Sequence, residues 1–238
     1  MKNFIYFTAL LAVASLSACW SNETANLSDV KQTEVYQTYW VSYDAGDKEL
    51  TASASFRFGG GTGTTLLLNG DAEVTFDGEK MAMENNFIQG TYYSLNKQDD
   101  FKKAYEFKFT DADKNVYANK IACNTIAMVT YPNQIDKLNS FEVKWDNPIV
   151  NGERVTLYIE DSKNKSAWVT TDVVGSTSLE MGNEAMNDLS PGDAHIYVVR
   201  EVSNALAESA HIGGNITLTY TAAKVSVKLT GPEPTAKN

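Results

Sequence analysis

Tyr105-Glu106-Phe107-Lys108-Phe109 alternates aromatic and charged residues without a break. A β-strand sends successive side chains to opposite faces, so this stretch offers three rings to a core and two charges to water. The same period of two recurs from Val35 to Leu229. Tyr39, Val41 and Tyr43 oppose Trp40, Ser42 and Asp44; Phe56 and Phe58 flank Arg57; Val74 and Phe76 flank Thr75. Phe141, Val143 and Trp145 oppose Glu142, Lys144 and Asp146, and Val155, Leu157 and Ile159 oppose Thr156, Tyr158 and Glu160. Near the end Ile216, Leu218 and Tyr220 oppose Thr217, Thr219 and Thr221, and Val225, Val227 and Leu229 oppose Ser226 and Lys228. One-sided strands of this kind belong to antiparallel sheets with one face on a core and the other in water.

The punctuation agrees. Asn69-Gly70, Asp77-Gly78 and Asn151-Gly152 are two-residue signals for tight hairpin turns, whose central positions must tolerate positive φ. Asp111-Ala112-Asp113-Lys114-Asn115 separates two strand-like runs as a longer hairpin loop. Helical patterning is confined to Ser203 to Ala210 and Glu184 to Leu189, a turn or two each. The expected fold class is all-β, built as β-sandwiches rather than a βα repeat. Tyr131-Pro132-Asn133-Gln134 is the best break, because proline ends a strand and polar residues follow. It places one sandwich at 33–131 and a second at 132–232, with 233–238 a disordered tail. One larger sandwich is the alternative. No strong internal repeat is visible between the halves.

The amino terminus carries a different signal. Lys2 precedes an uncharged, mostly apolar run from Phe4 to Leu16, followed by Leu16-Ser17-Ala18-Cys19. A positive end, an apolar stretch too short to span a bilayer and small residues before a cut describe a secretory signal over 1–18. The tetrapeptide resembles the lipobox of bacterial lipoproteins. That resemblance implies fatty acylation (palmitate) of Cys19, which becomes the mature terminus and ties the chain to a membrane. Residues 19–32 are small and polar, and read as a flexible tether reaching at most ~30 Å from the bilayer. Trp20, rather than aspartate, follows the cysteine. By resemblance to enterobacterial lipoproteins this points to the outer membrane, with the face, periplasmic or exterior, left open.

The second half resembles the fibronectin type III and immunoglobulin-like families. Phe141-Glu142-Val143-Lys144-Trp145-Asp146-Asn147-Pro148 is similar to their early strand, in which a tryptophan packs the core and a proline follows. Leu189-Ser190-Pro191-Gly192 followed by His195, Tyr197 and Val199 is similar to the fibronectin corner, although His195 stands where the corner tyrosine is expected. The resemblance spans roughly residues 135–230 at the level of pattern and could equally describe other bacterial immunoglobulin-like modules; it implies no chemistry, since sandwiches of this kind are mostly spacers and binding platforms. Two tandem immunoglobulin-like antiparallel sandwiches after a cleaved signal and a tether are therefore expected.

Composition narrows the partners. A net charge of −10 argues against nucleic acid, which needs cationic patches, and against a peripheral grip on anionic lipid. The mature cysteines are Cys19 and Cys123; with Cys19 acylated, Cys123 has no intramolecular partner and is expected to be a buried, inert thiol. Gly59-Gly60-Gly61-Thr62-Gly63-Thr64-Thr65 lacks the lysine and helix of a phosphate loop and reads as a turn. Asp111, Asp113 and Asn115 imitate the start of a calcium loop, but Val116 and Ala122 replace its glycine and glutamate. A solvated hairpin tip is the default there, and no cofactor or metal is expected. His195 and His211 have no ligand-spaced neighbours, and neither G-x-S-x-G nor H-E-x-x-H occurs.

Aromatics are the remaining clue. Tyr36, Tyr39, Trp40, Tyr43, Tyr92, Tyr93 and Trp168 exceed what one face per strand buries. Tyr39 and Trp40, being adjacent on a strand, point to opposite sides, so one is exposed or covered by the other domain. Domain packing is the plainer explanation. A binding surface of Trp40, Tyr92, Tyr93 and Trp168 is the sharper one. The function expected is a lipid-anchored, non-catalytic envelope module that binds or assembles with an unknown envelope protein or glycan. The alternatives are a glycan-binding lipoprotein using exposed aromatics, and a hydrolase of an envelope polymer.

Overall fold

The computed structural model describes residues 23–86 and 90–234. The expected signal sequence, the expected acylation site Cys19 and tail residues 235–238 lie outside the described residues. Nineteen strands and no α-helix occur among those described. In the first half the strands are β1 (Thr24–Asn26), β2 (Val35–Asp44), β3 (Glu49–Phe58), β4 (Thr64–Leu67), β5 (Glu73–Phe76), β6 (Glu79–Lys80), β7 (Ala82–Asn86), β8 (Gly90–Gln98), β9 (Ala104–Thr110) and β10 (Val116–Ala122). In the second they are β11 (Met128–Thr130), β12 (Gln134–Asp136), β13 (Phe141–Trp145), β14 (Glu153–Asp161), β15 (Ser166–Thr171), β16 (Ser178–Met181), β17 (Gly192–Ala205), β18 (Gly214–Thr221) and β19 (Val225–Thr230).

The alternation explains the layers. On β2, β9 and β14 every second side chain is buried and its neighbours face water. One large sheet runs β1-β4-β3-β2-β18-β17-β14-β15, with β8 and β7 beside β3, and β19 and β12 beside β17. Two small sheets, β10-β9-β5-β6 and β11-β13-β16, provide the facing layers. In the first half Tyr39 on β2 stacks on Phe107 of β9 at 4.6 Å, and Phe56 on β3 meets Phe109 at 4.4 Å. In the second half Val143 and Trp145 of β13 are buried along with Val155, Leu157 and Ile159 of β14. Each such side chain contributes roughly 1.5–3 kcal/mol relative to exposure.

The halves are joined by backbone. β17 is fourteen residues long and pairs with β19 through its first part and with β18 through its last. β18 then pairs in parallel with β2, from Gly214 opposite Gln37 to Thr221 opposite Asp44. The large sheet thus crosses the expected break. At the start of β18 the two backbones are so close that a Cβ on Gly214 would lie 2.1 Å from the Gln37 carbonyl oxygen, so only glycine fits. The hairpin tip is held from the first half: Glu208 accepts from the Ala118 amide at 2.7 Å, and Asn119 exchanges two hydrogen bonds with the Glu208 backbone.

Behind this junction Arg200 is fully buried. Its guanidinium lies 3.4 Å from Glu153 and donates to the Asn147 carbonyl, while Glu153 also accepts from the Val150 amide at 3.1 Å. Its register partner Tyr220 stacks on Tyr43 at 5.5 Å and meets Phe101 at 4.8 Å.

Several expectations change. Residues 24–32 of the expected tether are packed: β1 pairs with β4, Leu27 is fully buried, and the Gln32 amide donates to the Leu27 and Val30 carbonyls. β11 precedes the expected break yet pairs with β13 of the second half. Ser203 to Ala205 continue β17 instead of forming a helical turn; Asn183–Met186 does form one turn of 3-10 helix. Of the three two-residue turns, Asp77-Gly78 closes a hairpin, with φ of 49° and 84°. Asn69-Gly70 and Asn151-Gly152 instead carry the chain from one sheet to the other.

The Arg200–Glu153 pair yields a stability prediction. Glu153→Ala strands a buried cation and should lower the unfolding free energy by about 3–5 kcal/mol in urea titrations. The double change Glu153→Leu with Arg200→Met should recover most of that loss.

Candidate ligand-binding groove

The open concavity of greatest interest lies at the far end of the second half, with a volume of about 760 Å³. Trp168, Lys163 and Lys165 line it, and Ser190, Glu233 and Pro234 are among the rest of its lining. Three devices build it.

The first is a column of rings. Trp168 on β15 is opposite Tyr158 on β14, which is opposite Tyr197 on β17. The Tyr158 and Tyr197 rings stack at 5.1 Å and 9°, and Trp168 follows at 6.5 Å and 35°. Lys224 closes the other end, 5.0 Å from the Tyr197 centroid. A hydrogen bond from Lys224 to Glu160, 2.8 Å long, raises the lysine above its usual range and keeps it charged. The tyrosines therefore stand as slabs behind the indole, which is 60% exposed and turns toward the groove.

The second device is Asp161, nearly buried at the end of β14. Its carboxylate accepts from the amides of Ser190 at 2.7 Å, Lys163 at 2.8 Å and Lys165 at 3.0 Å. Burial opposes its charge, but these donors prevail and hold it below the usual carboxylate range. Three groove-lining residues are thus fixed by one side chain. Asn164 takes the left-handed position of the loop, with φ of 61°.

The third is Lys137, 4% exposed. Its ammonium donates to the carbonyls of Leu189 and of Pro232, the latter at 2.9 Å, and reaches that of Asn187 at 3.5 Å. It pins both the groove floor and the carboxy-terminal segment that forms its rim.

The other sequence-predicted residues are dispersed. Trp40 is 48% exposed on the outer face of the same large sheet, between Ser53 and Thr217, far from Trp168. Tyr92 is half-buried on that face. Tyr93 leaves the proposed surface: it points into the core, and its hydroxyl accepts from the Leu68 amide at 2.7 Å. Asp111 is buried, and both its oxygens accept from its own loop, from the Asp113 and Asn115 amides, the Asn115 side chain and the Tyr117 hydroxyl. Asp113 and Asn115 are exposed around it. Among the described residues no three His, Cys, Asp or Glu side chains gather as a metal set. His195 faces outward on β17 and His211 lies in the hairpin tip, neither in the groove. Cys123 is buried just after β10, and burial pushes its thiol up to about 12. No described helix is long and apolar enough to cross a membrane.

Sequence reasoning named Tyr197 only as part of the fibronectin-like corner, and did not single out Tyr158, Asp161 or Lys137. The two tyrosines were marked by lying on the polar side of their alternating runs, where an aromatic ring has no core to fill.

No protein-family model and no curated protein matches this chain. Among solved structures it is similar to Bacteroides ovatus mixed-linkage glucan utilization locus SGBP-B in complex with a mixed-linkage heptasaccharide. That match has a TM-score of 0.26 and 11% identity, over 82% of this chain and 61% of that one. A 1.5-MDa bacterial ice-binding adhesin gives 0.24 and 14%, over 83% and 66%; the chicken CNTN1 FN1–FN3 domains give 0.23 and 11%, over 79% and 65%. At such scores the likeness carries no argument about ligand, and the all-β sandwich layering stands on the strand pairing above.

Asp161 makes the groove sensitive to acid. Because its folded value is lowered, its stabilisation is whole above the ordinary 3.8 and is lost as pH falls through the folded value. Asp161→Ala should destabilise the chain by about 2 kcal/mol near neutrality, with the gap to wild type closing below about pH 4. Thermal melts of both proteins across pH measure this.

Proposed function

We propose that the chain is a lipid-anchored, non-catalytic binding protein of a bacterial envelope, tethered through Cys19 and holding a glycan at the Trp168 groove. Its two layered halves act as two sandwiches that share a hairpin. The reading rests on the ring column. An indole braced from behind and open in front is a fixed platform for the C–H face of a sugar ring, attracted by the electron-rich π face. Lys163, Lys165 and Ser166, all exposed, stand around it as hydrogen-bonding groups for hydroxyls. The platform costs little conformational entropy on binding, since the tyrosines, Asp161 and Lys137 already hold it. The Leu16-Ser17-Ala18-Cys19 motif supports the anchor, and Trp20 supports the outer membrane.

A second reading is assembly with an envelope protein through β15. This strand is at the margin of the large sheet, and β14 is its one ladder partner among the described residues.

Two measurements test the proposal. Mass spectrometry of the membrane-extracted protein should show a fatty-acylated amino-terminal Cys19; a chain beginning elsewhere, with a free thiol, removes the anchor. Affinity electrophoresis through gels containing linear β-glucan, xylan, mannan or dextran should retard the wild-type protein in at least one of them. Trp168→Ala should abolish that retardation while leaving the thermal midpoint unchanged. Retardation that persists in this variant excludes the groove.

A further inference from the structure

We infer that the ligand is a linear polysaccharide long enough to lie across the large sheet from the Trp168 groove to a second platform at Trp40. This rests on the glycan reading above and extends it from a sugar to a polymer.

The register places both tryptophans on one face. Trp168, Tyr158 and Tyr197 form one cross-strand row over β15, β14 and β17. Ser203, Thr217, Trp40 and Ser53 form another over β17, β18, β2 and β3. Tyr197 and Ser203 are an even number of residues apart on β17, so the two rows share the outer face. The tryptophans are four strand steps apart sideways and six residues apart along β17. At ~4.8 Å per strand and ~3.3 Å per residue, the separation is roughly 28 Å. No single sugar ring touches both, whereas an extended chain does.

The surface between them suits a carbohydrate. Val199, Glu201, Thr219, Ser42 and Thr156 take the outer register positions between the two rows; none is aromatic, and Glu201 is paired with the half-exposed Arg154, both groups being able to hydrogen-bond hydroxyls. Trp40 keeps half its surface in water although Ser53 and Thr217 stand beside it, because both are too short to cover an indole. Trp40 stands on a strand whose backbone is paired on both sides, so the position of its platform on the sheet is fixed. Two platforms on one rigid sheet convert the second contact into an intramolecular event, so affinity rises steeply once the ligand spans them.

The experiment compares one polymer with its own fragment. The probe is whichever of linear β-glucan, xylan, mannan or dextran retards the wild-type chain, together with the disaccharide of the same polymer, measured by calorimetry and affinity electrophoresis. Trp40→Ala should leave disaccharide binding unchanged and weaken polymer binding by at least about tenfold, with Trp40→Tyr restoring most of it. Trp168→Ala should weaken both. Equal polymer affinity of Trp40→Ala and wild type, with unchanged thermal midpoints, overturns the spanning ligand and leaves the groove intact. Loss of nothing in Trp168→Ala, or no retardation of the wild-type chain by any of the four, overturns both.

Discussion

The parallel pairing of β18 with β2 is the constraint on which everything else hangs. It is made of backbone, so it fixes register as well as proximity, and a slip of one residue would turn every side chain of the hairpin to the wrong face. β17 makes it geometrically feasible by being long enough to serve β19 at one end and β18 at the other. The aromatic junction of Tyr43, Phe101 and Tyr220, and the buried Arg200–Glu153 pair behind it, lie where this hairpin enters the first half. The outer face that carries both tryptophans exists as one surface because the sheet is continuous there.

The period of two was legible in the longer core strands, such as β2, β9, β14 and β18, and so their buried sides and the all-β class were legible too, whereas short strands such as β6, β12 and β16 are too brief to show a period. The long-range partners were not. A strand's composition says which side is buried, and nothing about which distant edge it joins, so β2 gave no sign of waiting for β18. Turn signals had the same limit. Asn69-Gly70 and Asn151-Gly152 encode a local bend, and the bend is compatible with a hairpin or with a step between layers. The calcium-like loop is instructive. Asp111 and Asp161 each begin a five-residue hairpin, accept from the amides two and four residues on, and are followed at the fourth position by a left-handed residue, Lys114 or Asn164. The halves therefore do share a repeated device, concealed because the leading aspartate is the one residue that Asp111-Ala112-Asp113-Lys114-Asn115 and Asp161-Ser162-Lys163-Asn164-Lys165 have in common.

The groove was half legible. Trp168 stood out as one of more aromatics than a single face per strand buries, and Tyr158 and Tyr197 lay on the polar side of their alternating runs. Lys137 carried none: between Asp136 and Leu138 it resembles any surface lysine, and its burial depends on carbonyls contributed by Leu189 and Pro232, which are far away in sequence. Electrostatics in this molecule is mostly of that kind. The decisive charges, Lys137, Asp161 and Arg200, are held by backbone groups as much as by counter-ions, although Arg200 keeps its Nε and Nη1 without a hydrogen bond, so they specify loop positions more than they add Coulombic stability.

The late arrival of β18 has a consequence for biogenesis. Its partner β2 emerges from the ribosome well over a hundred residues earlier, and until the carboxy-terminal hairpin follows, one margin of β2 has open amides and carbonyls above an aromatic layer. Such a margin is a template for pairing with a neighbouring molecule, and topology of this kind folds slowly. A chain made from its amino terminus thus keeps that margin of β2 unpaired until nearly all of it has been synthesised, which makes holdase chaperones natural participants in its maturation.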